Sequence, residues 1–325
     1  MGAGRLKLRG RLALGALLAL VSVAIAADLL AADLPLAVRL NGHTHWLPMF
    51  TRPLTLRGAN QQSLAGTAEW IWRTPVPWGP NQTFAANPLV HDTPPPWGPD
   101  PAHWLGTDEL GRDVLARLIH GARVSLTVGF CSVALCVLIG LLLGGLAGYY
   151  GRGIDAVISR VTEVMITFPT LFFVLAVLGL LRISSLLPLV LVIGFTRWTD
   201  IARLVRAEVL KLKGLDFITA SRALGLSDAR ILVRHLLPNA LSPVLVAATF
   251  AVASAILTES ALSFLGLGPP PPTASWGELL TQAHRYLTHP GAWWLAVFPG
   301  LCIAATVLAL NELGEALRAL LDPRA

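Results

Sequence analysis

Residues 216–245 read DFITASRALGLSDARILVRHLLPNALSPVL, a basic stretch punctuated by Gly225, Ser227 and Pro238 and set between two strongly apolar runs. The spacing predicts two short helices around a glycine turn. Asp216 at the start of the first, over 216–224, suits the positive end of the helix dipole. Phe217, Ala220 and Leu224 are three and four residues apart and therefore share one face. Gly225 follows at the position where a helix commonly ends in a left-handed residue, which glycine adopts without steric cost. Ser227 is then a suitable N-cap, with Asp228 in the first turn of the second helix. That helix is expected to stop before Pro238, which has no N–H to donate, so that Leu237-Pro238 forms the exit into the next apolar run. Arg222, Arg230 and Arg234 take the polar side. A DNA-binding helix-turn-helix shares the small-residue spacing, but short tethers to apolar spans on both sides keep such a hairpin out of a DNA groove. Anchoring of its arginines on anionic lipid is the other reading. The glycine turn and the proline exit favour docking, because lipid anchoring requires no fixed shape.

The composition outside this stretch is that of a membrane protein. Of the 325 residues, 54% are hydrophobic and only 14% charged, against about 25% charged in soluble proteins. The mean hydropathy is +0.63. Apolar runs of bilayer-crossing length, about 20 residues, are expected at 12–32, 122–148, 160–181, 186–205, 241–264 and 292–312. The first follows Arg5, Lys7, Arg9 and Arg11. Ala24-Ile25-Ala26 resembles a signal-peptide cleavage site, but the length of the run favours an uncleaved first helix. Arg197, Asp200 and Arg203 suggest that the 186–205 run leaves the bilayer early. Six spans with the N-terminus inside put both termini and the 206–238 loop in the cytoplasm. The basic residues agree: 206–238 carries Arg206, Lys211, Lys213, Arg222, Arg230 and Arg234, whereas 265–291 carries only Arg285. The net charge of +6 thus reflects inner-side anchoring rather than nucleic-acid binding.

Residues 33–105 differ in character. They hold six of the ten tryptophans and many prolines, with PWGP at 77–80 and again at 96–99. Proline at this density excludes continuous helix, so turns and edge strands are expected in a small extracytoplasmic subdomain. After Trp78 an irregular linker is the competing description.

No catalytic residue and no metal site is predicted. The chain has only three lysines, Lys7, Lys211 and Lys213, and none lies in the phosphate-cradling motif G-x-x-x-x-G-K-[ST]. There is no H-E-x-x-H and no G-x-S-x-G. His43/His45 and His284/His289 are pairs, and a metal site needs three or four convergent ligands. Cys131, Cys136 and Cys302 read as small hydrophobes without disulfide or metal spacing. Glu259 is the deepest charged residue in a span, a candidate for the translocation path or a partner contact, with backbone hydrogen bonding near the span's outer end as the alternative. Arg160 and Glu163 are spaced as a local ion pair. Gly140, Gly144 and Gly148 recur every four residues and permit close helix packing.

The pattern Ala220-x4-Gly225-x11-Leu237-Pro238 resembles the EAA loop of bacterial ABC importer permeases. With LGTDELGRDVLARLIHGARVSL, SRALGLSDARILVRHLLPNAL, ILTESALSFLGLG and LDPR in this order, residues 103–324 resemble the second permease subunit of dipeptide, oligopeptide and nickel importers. The Trp/Pro-rich segment resembles the microcin C and oligopeptide branch. One departure is Thr219-Ala220-Ser221, in which an uncharged threonine stands in place of the motif's glutamate. His235 stands where many permeases have isoleucine. The resemblance implies an all-α polytopic permease of six transmembrane helices: 1–32 as N-terminus and first helix, 33–105 as a periplasmic insert, and 106–325 as a five-helix core. It further implies an inner-membrane location and no cofactor of its own. The partners would be a second homologous permease, two ATP-binding subunits and a periplasmic solute-binding protein. The ATPase-coupling residues would be Asp216, Ala220, Arg222, Gly225, Ser227, Arg230, Arg234, Leu237 and Pro238. An ion-coupled carrier or a membrane scaffold working without ATPases is the alternative. A carrier should show inverted repeats and polar mid-membrane groups, and no convincing repeat is evident.

Overall fold

The computed structural model describes residues 8–83, 93–181, 185–286 and 291–321. In chain order the elements are α1 (Leu8–Ile25), α2 (Ala27–Leu30), β1 (Ala37–Leu40), β2 (His43–Trp46), α3 (Pro48–Thr51), α4 (Gln61–Leu64), β3 (Trp70–Trp72), α5 (Val114–Tyr150), α6 (Arg152–Thr167), α7 (Thr170–Leu181), α8 (Leu186–Lys213), α9 (Asp216–Ala223), α10 (Asp228–Ile231), α11 (Leu237–Leu262), α12 (Trp276–Arg285) and α13 (Trp294–Leu321). Among the described residues four helical stretches are long and apolar enough to cross a bilayer: Leu8–Ile25, Val114–Tyr150, Asp228–Leu267 and Trp294–Leu321. A fifth arises if α6 and α7 are counted as one broken span.

The two remaining runs expected from sequence are not simple apolar helices among the described residues. Around 160–181 the chain bends by 86° between α6 and α7. Pro169 lies at the bend and disfavours helical geometry in Phe168 before it, which is extended. The 186–205 run is α8, which continues unbroken to Lys213 and carries Arg197, Asp200, Arg203 and Arg206. Asp200 accepts from Arg203 at 3.0 Å, and Asp155 accepts two bonds from Arg206, at 2.5 and 2.7 Å.

The chain forms two compact units. The first comprises 1–16, 128–259 and 306–325. In it α5 and α8 approach closely, and the glycine stripe is the reason. A Cβ at Gly140 would come within 2.6 Å of the Ile201 side chain, at Gly144 within 2.4 Å of the Ala202 carbonyl oxygen, and at Gly148 within 2.9 Å of the Arg206 carbonyl oxygen. Val205, Val209, Ile218, Ile231, Leu236 and Ala240 form its fully buried core. Arg160 and Glu163 pair at 2.8 Å on the exposed side of α6. Cys136 is buried and Cys131 exposed, and both are free thiols.

The second unit comprises 17–127 and 260–305 and contains a folded subdomain. Its strands order β2-β1-β3, all antiparallel. The two-residue link Asn41-Gly42 has positive φ at both positions, 49° and 78°, the geometry whose twist matches a hairpin. Val38, Leu34, Met49, Leu56 and Leu64 fill the small core. Gln61, buried to 1% exposure, donates to the carbonyls of Ala32 and Leu34 and to Thr74 Oγ1 (2.9, 3.3 and 2.7 Å). At the start of α5 a buried ionic cluster joins that helix to α12. Asp108 accepts from Arg112 Nε at 2.7 Å, and Arg117, wholly buried, reaches Glu278 at 2.6 Å. Buried charge of this kind persists only when paired.

Candidate functional site

The 216–238 segment folds as a helix–turn–helix hairpin, built from the residues upward. α9 starts with Asp216 in its first turn, next to an extended Leu215. It ends in the glycine turn expected from the sequence: Gly225 has φ +78°. The Gly225 N–H donates to the Arg222 carbonyl at 2.9 Å and the Leu226 N–H to the Ser221 carbonyl at 3.2 Å. These two reverse bonds satisfy carbonyls that the helix end would leave unpaired. No atom outside the turn lies within 4 Å of a Cβ built on Gly225. The demand for glycine is therefore conformational rather than steric.

The hairpin departs from expectation at three points. Ser227 occupies the N-cap position, with extended backbone, but its side chain caps nothing. The second helix does not end before Pro238. From Asp228 it runs through a widened, π-type turn at Leu232–Leu236 directly into α11. That turn shifts the hydrogen-bond ladder just where proline lacks a donor and its ring would strike the carbonyl four residues back. Leu237 faces inward: a Cβ at Gly145 of α5 would sit 2.9 Å from its Cδ2.

Burial separates what holds the hairpin from what it offers. Ile218, Ile231 and Leu236 are wholly buried, and Ser221 nearly so, in the core shared with Val205 and Val209 of α8. Each such aliphatic side chain contributes up to about 1.5–3 kcal/mol of burial. The neighbouring face is left open: Phe217 is 41% and Leu224 82% exposed, and Ala220 between them is exposed too. Asp216, Thr219, Arg222, Ser227, Arg230, Arg234 and Pro238 are also exposed. The result is an apolar strip flanked by arginines on a rigidly seated hairpin, the anatomy of a protein-docking patch. Glu259 is not part of it. It is wholly buried near the end of α11, about 45 Å along the helix from Asp228 at 1.5 Å per residue, and it is engaged within the fold.

Sequence reasoning missed Tyr149, in the last turn of α5. It is 3% exposed. Its hydroxyl donates to Asp228 Oδ1 at 2.5 Å, and its carbonyl accepts from Lys213 Nζ. The Lys213 ammonium and the Arg222 guanidinium lie 5.4 and 5.5 Å from its ring centroid, within cation–π range. The only signal in the sequence is an aromatic pair at the end of a long apolar run, which points equally to a membrane-interface belt. Among the described residues no group of three or more His, Cys, Asp or Glu side chains could hold a metal.

Comparison with known proteins fits this geometry. The family of binding-protein-dependent transport system inner membrane components matches residues 140–325, the hairpin included. The chain belongs to this family. It is therefore a multi-pass inner-membrane permease component, of a class that works with ATPase and binding-protein partners. The dipeptide transport system permease protein DppC of Alkalihalophilus pseudofirmus is 41% identical over 222 residues, which is 68% of this chain and 72% of the relative. The di/tripeptide transport system permease protein DppC of Pseudomonas aeruginosa is 40% identical over 257 residues, 79% and 82% of the two chains. Among solved structures, an inward-facing form of the MetNI methionine ABC transporter aligns with a TM-score of 0.51 at 20% identity, covering 63% of this permease and 96% of that chain. That likeness supports the fold alone.

Proposed function

We propose that this permease is a membrane subunit of an ATP-driven peptide importer and that its 216–238 hairpin is the contact for the ATPase. One observation carries the reading: a glycine-turned hairpin, firmly seated by Ile218, Ile231 and Leu236, presents Phe217, Ala220 and Leu224 uncovered. Such a strip costs free energy in water and is stabilised when a partner covers it. Peptide as the substrate class is supported by the peptide permeases at about 40% identity; the sequence resemblance also takes in oligopeptide, microcin C and nickel importers. Hydrolysis comes from separate subunits, in keeping with the lack of a phosphate-cradling loop in the sequence.

In this reading the permease pairs with a second, similar permease, two ATPase subunits bind from the cytoplasm, and a solute-binding protein delivers the peptide. Both termini and the 206–238 loop are cytoplasmic, supported by the clustering of basic residues there. Six crossings then require α6–α7 and α8 each to count as one, the charges of α8 being covered by partners or paired as Arg206 is with Asp155. The division into first helix, 33–105 insert and core follows the same topology. The hairpin residues Asp216, Ala220, Arg222, Gly225, Ser227, Arg230 and Arg234 face the ATPase, with Leu237 and Pro238 where the hairpin joins α11. Glu259 acts within the membrane core, near the path. Closure of the ATPase dimer on ATP shifts the hairpins and biases the spans between outward- and inward-open states.

The test is a mild-detergent pull-down of the tagged chain from its native membrane, with mass spectrometry of what accompanies it. Recovery of P-loop ATPases and a second permease is the expected result. Recovery of the chain alone, even after crosslinking, would remove the ATPase reading.

A further inference from the structure

We infer that Tyr149 is the positioning residue through which movement of the hairpin is passed to α5. This rests on the reading of the hairpin as the ATPase contact. Three segments of the chain hold this one side chain, and they flank both bends of the hairpin. Lys213 is the last residue of α8, before the bend at Gly214; it donates to the Tyr149 carbonyl and lies 5.4 Å from the ring centroid. Arg222 is in the last turn of α9, before the bend at Gly225, and its guanidinium lies 5.5 Å from the same centroid. Asp228 opens α10 beyond that bend and accepts the phenolic proton at 2.5 Å. The ring itself is buried in the core that seats the hairpin.

The apolar core and this clamp differ in kind. Packing of Ile218, Ile231 and Leu236 is non-directional and tolerates a small slide. A hydrogen bond to a carboxylate and cations against an aromatic ring have defined geometry. A displacement of α9 or α10 therefore either carries Tyr149 with it or breaks these directional contacts. Tyr149 lies in the last turn of α5, and Gly148 beside it lets that helix touch the α8 backbone. Movement of the ring is thus movement of the helix end.

The experiment uses the complete transporter in proteoliposomes with a dipeptide as transported probe. It compares wild type with Tyr149→Phe, Tyr149→Leu and Asp228→Asn, and reads peptide transported per ATP hydrolysed together with the ATPase recovered on the tagged permease. Tyr149→Phe keeps the ring between the cations and loses the phenol's bonds to Asp228 and Arg222, so the transport-to-hydrolysis ratio should fall about threefold. Tyr149→Leu loses both kinds of contact and should lower it about tenfold or more. Asp228→Asn keeps an acceptor for the phenol and should fall no further than Tyr149→Phe. A merely structural tyrosine would lower assembled complex, transport and hydrolysis together and leave the ratio at the wild-type value; that result in Tyr149→Leu overturns the inference alone. Absence of ATPase from the wild-type complex would overturn the underlying reading and the inference with it.

Discussion

The hairpin at 216–238 and the insert at 33–83 are both small pieces attached to membrane helices, yet they are held in opposite ways. The hairpin's shape is local. One residue with φ +78°, Gly225, and two reverse hydrogen bonds within six residues set the turn. The insert is held at long range. Gln61 binds the carbonyls of Ala32 and Leu34 and the Thr74 hydroxyl, and Arg39 pairs with Glu69 across the sheet at 3.0 Å. The difference teaches where each is vulnerable: the hairpin to a change of backbone freedom at one position, the insert to the loss of one buried polar hub. It also bears on function, because the hairpin couples a stiff local shape to an uncovered apolar strip of Phe217, Ala220 and Leu224, whereas the apolar side chains that the insert exposes, Trp46, Trp70 and Trp72, lie on a sheet held at long range.

Substitutions can break this contrast, and the largest effect is expected at the turn. Gly225→Val should insert into the membrane and still carry the core, since open space surrounds the position. It should nevertheless lose ATP-dependent transport by about tenfold or more, because the left-handed conformation costs a β-branched residue more than the ~1–2 kcal/mol typical of L-residues. Transport assays in proteoliposomes would show it, and normal transport would discard the turn as the coupling element. Gln61→Leu should act on the other region. It leaves Thr74 and two buried carbonyls short of a partner, at about 1–3 kcal/mol each where water cannot reach them. Limited proteolysis should cut the insert faster while ATPase recovery stays at the wild-type level.

A smaller effect on folding but a clear one on docking is expected for Leu224→Asp. The side chain is exposed, so stability should move by no more than about 0.5 kcal/mol, while ATPase recovered in pull-down should fall severalfold. Ile218→Asp, at a wholly buried position of α9, should instead fail to accumulate. If the two variants behaved alike, the division into holding and offering faces would be wrong. The smallest effect is expected for Arg160→Ala, which removes an exposed pair with Glu163. Thermal unfolding should shift by less than the equivalent of about 0.5 kcal/mol.

How much of this is legible in the sequence follows the same local-versus-distant divide. The glycine turn and the Phe217/Ala220/Leu224 face are readable from spacing alone, and the structure has both. The face that seats the hairpin is not, because Ile218 and Ile231 are buried by Val205 and Val209 of another helix. The proline exit fails as a rule because the π-type turn at Leu232–Leu236 accommodates Pro238 inside a continuous helix. In the insert, Asn41-Gly42 between alternating residues is a hairpin signal within reach of sequence reasoning, which yields only edge strands and turns when proline density dominates the reading. The hub at Gln61 was out of reach, since its partners lie up to 29 residues away. The two runs that are not simple apolar spans differ for reasons visible in the letters, Pro169 and the charges of α8 at Arg197, Asp200, Arg203 and Arg206, but their outcome depends on a bend of 86° and an ion pair to Asp155 that only the fold supplies.

The most direct measurement sets the two regions against each other in one complex. A photo-crosslinking amino acid is placed at position 224 on the hairpin or at position 46 on the insert's exposed sheet, in the full transporter in its native membrane. Irradiation at 224 should give an adduct with the ATPase subunit, and irradiation at 46 should give none. An ATPase adduct from 46, or none from 224 in a complex that contains the ATPase, would contradict the assignment of the hairpin as the contact.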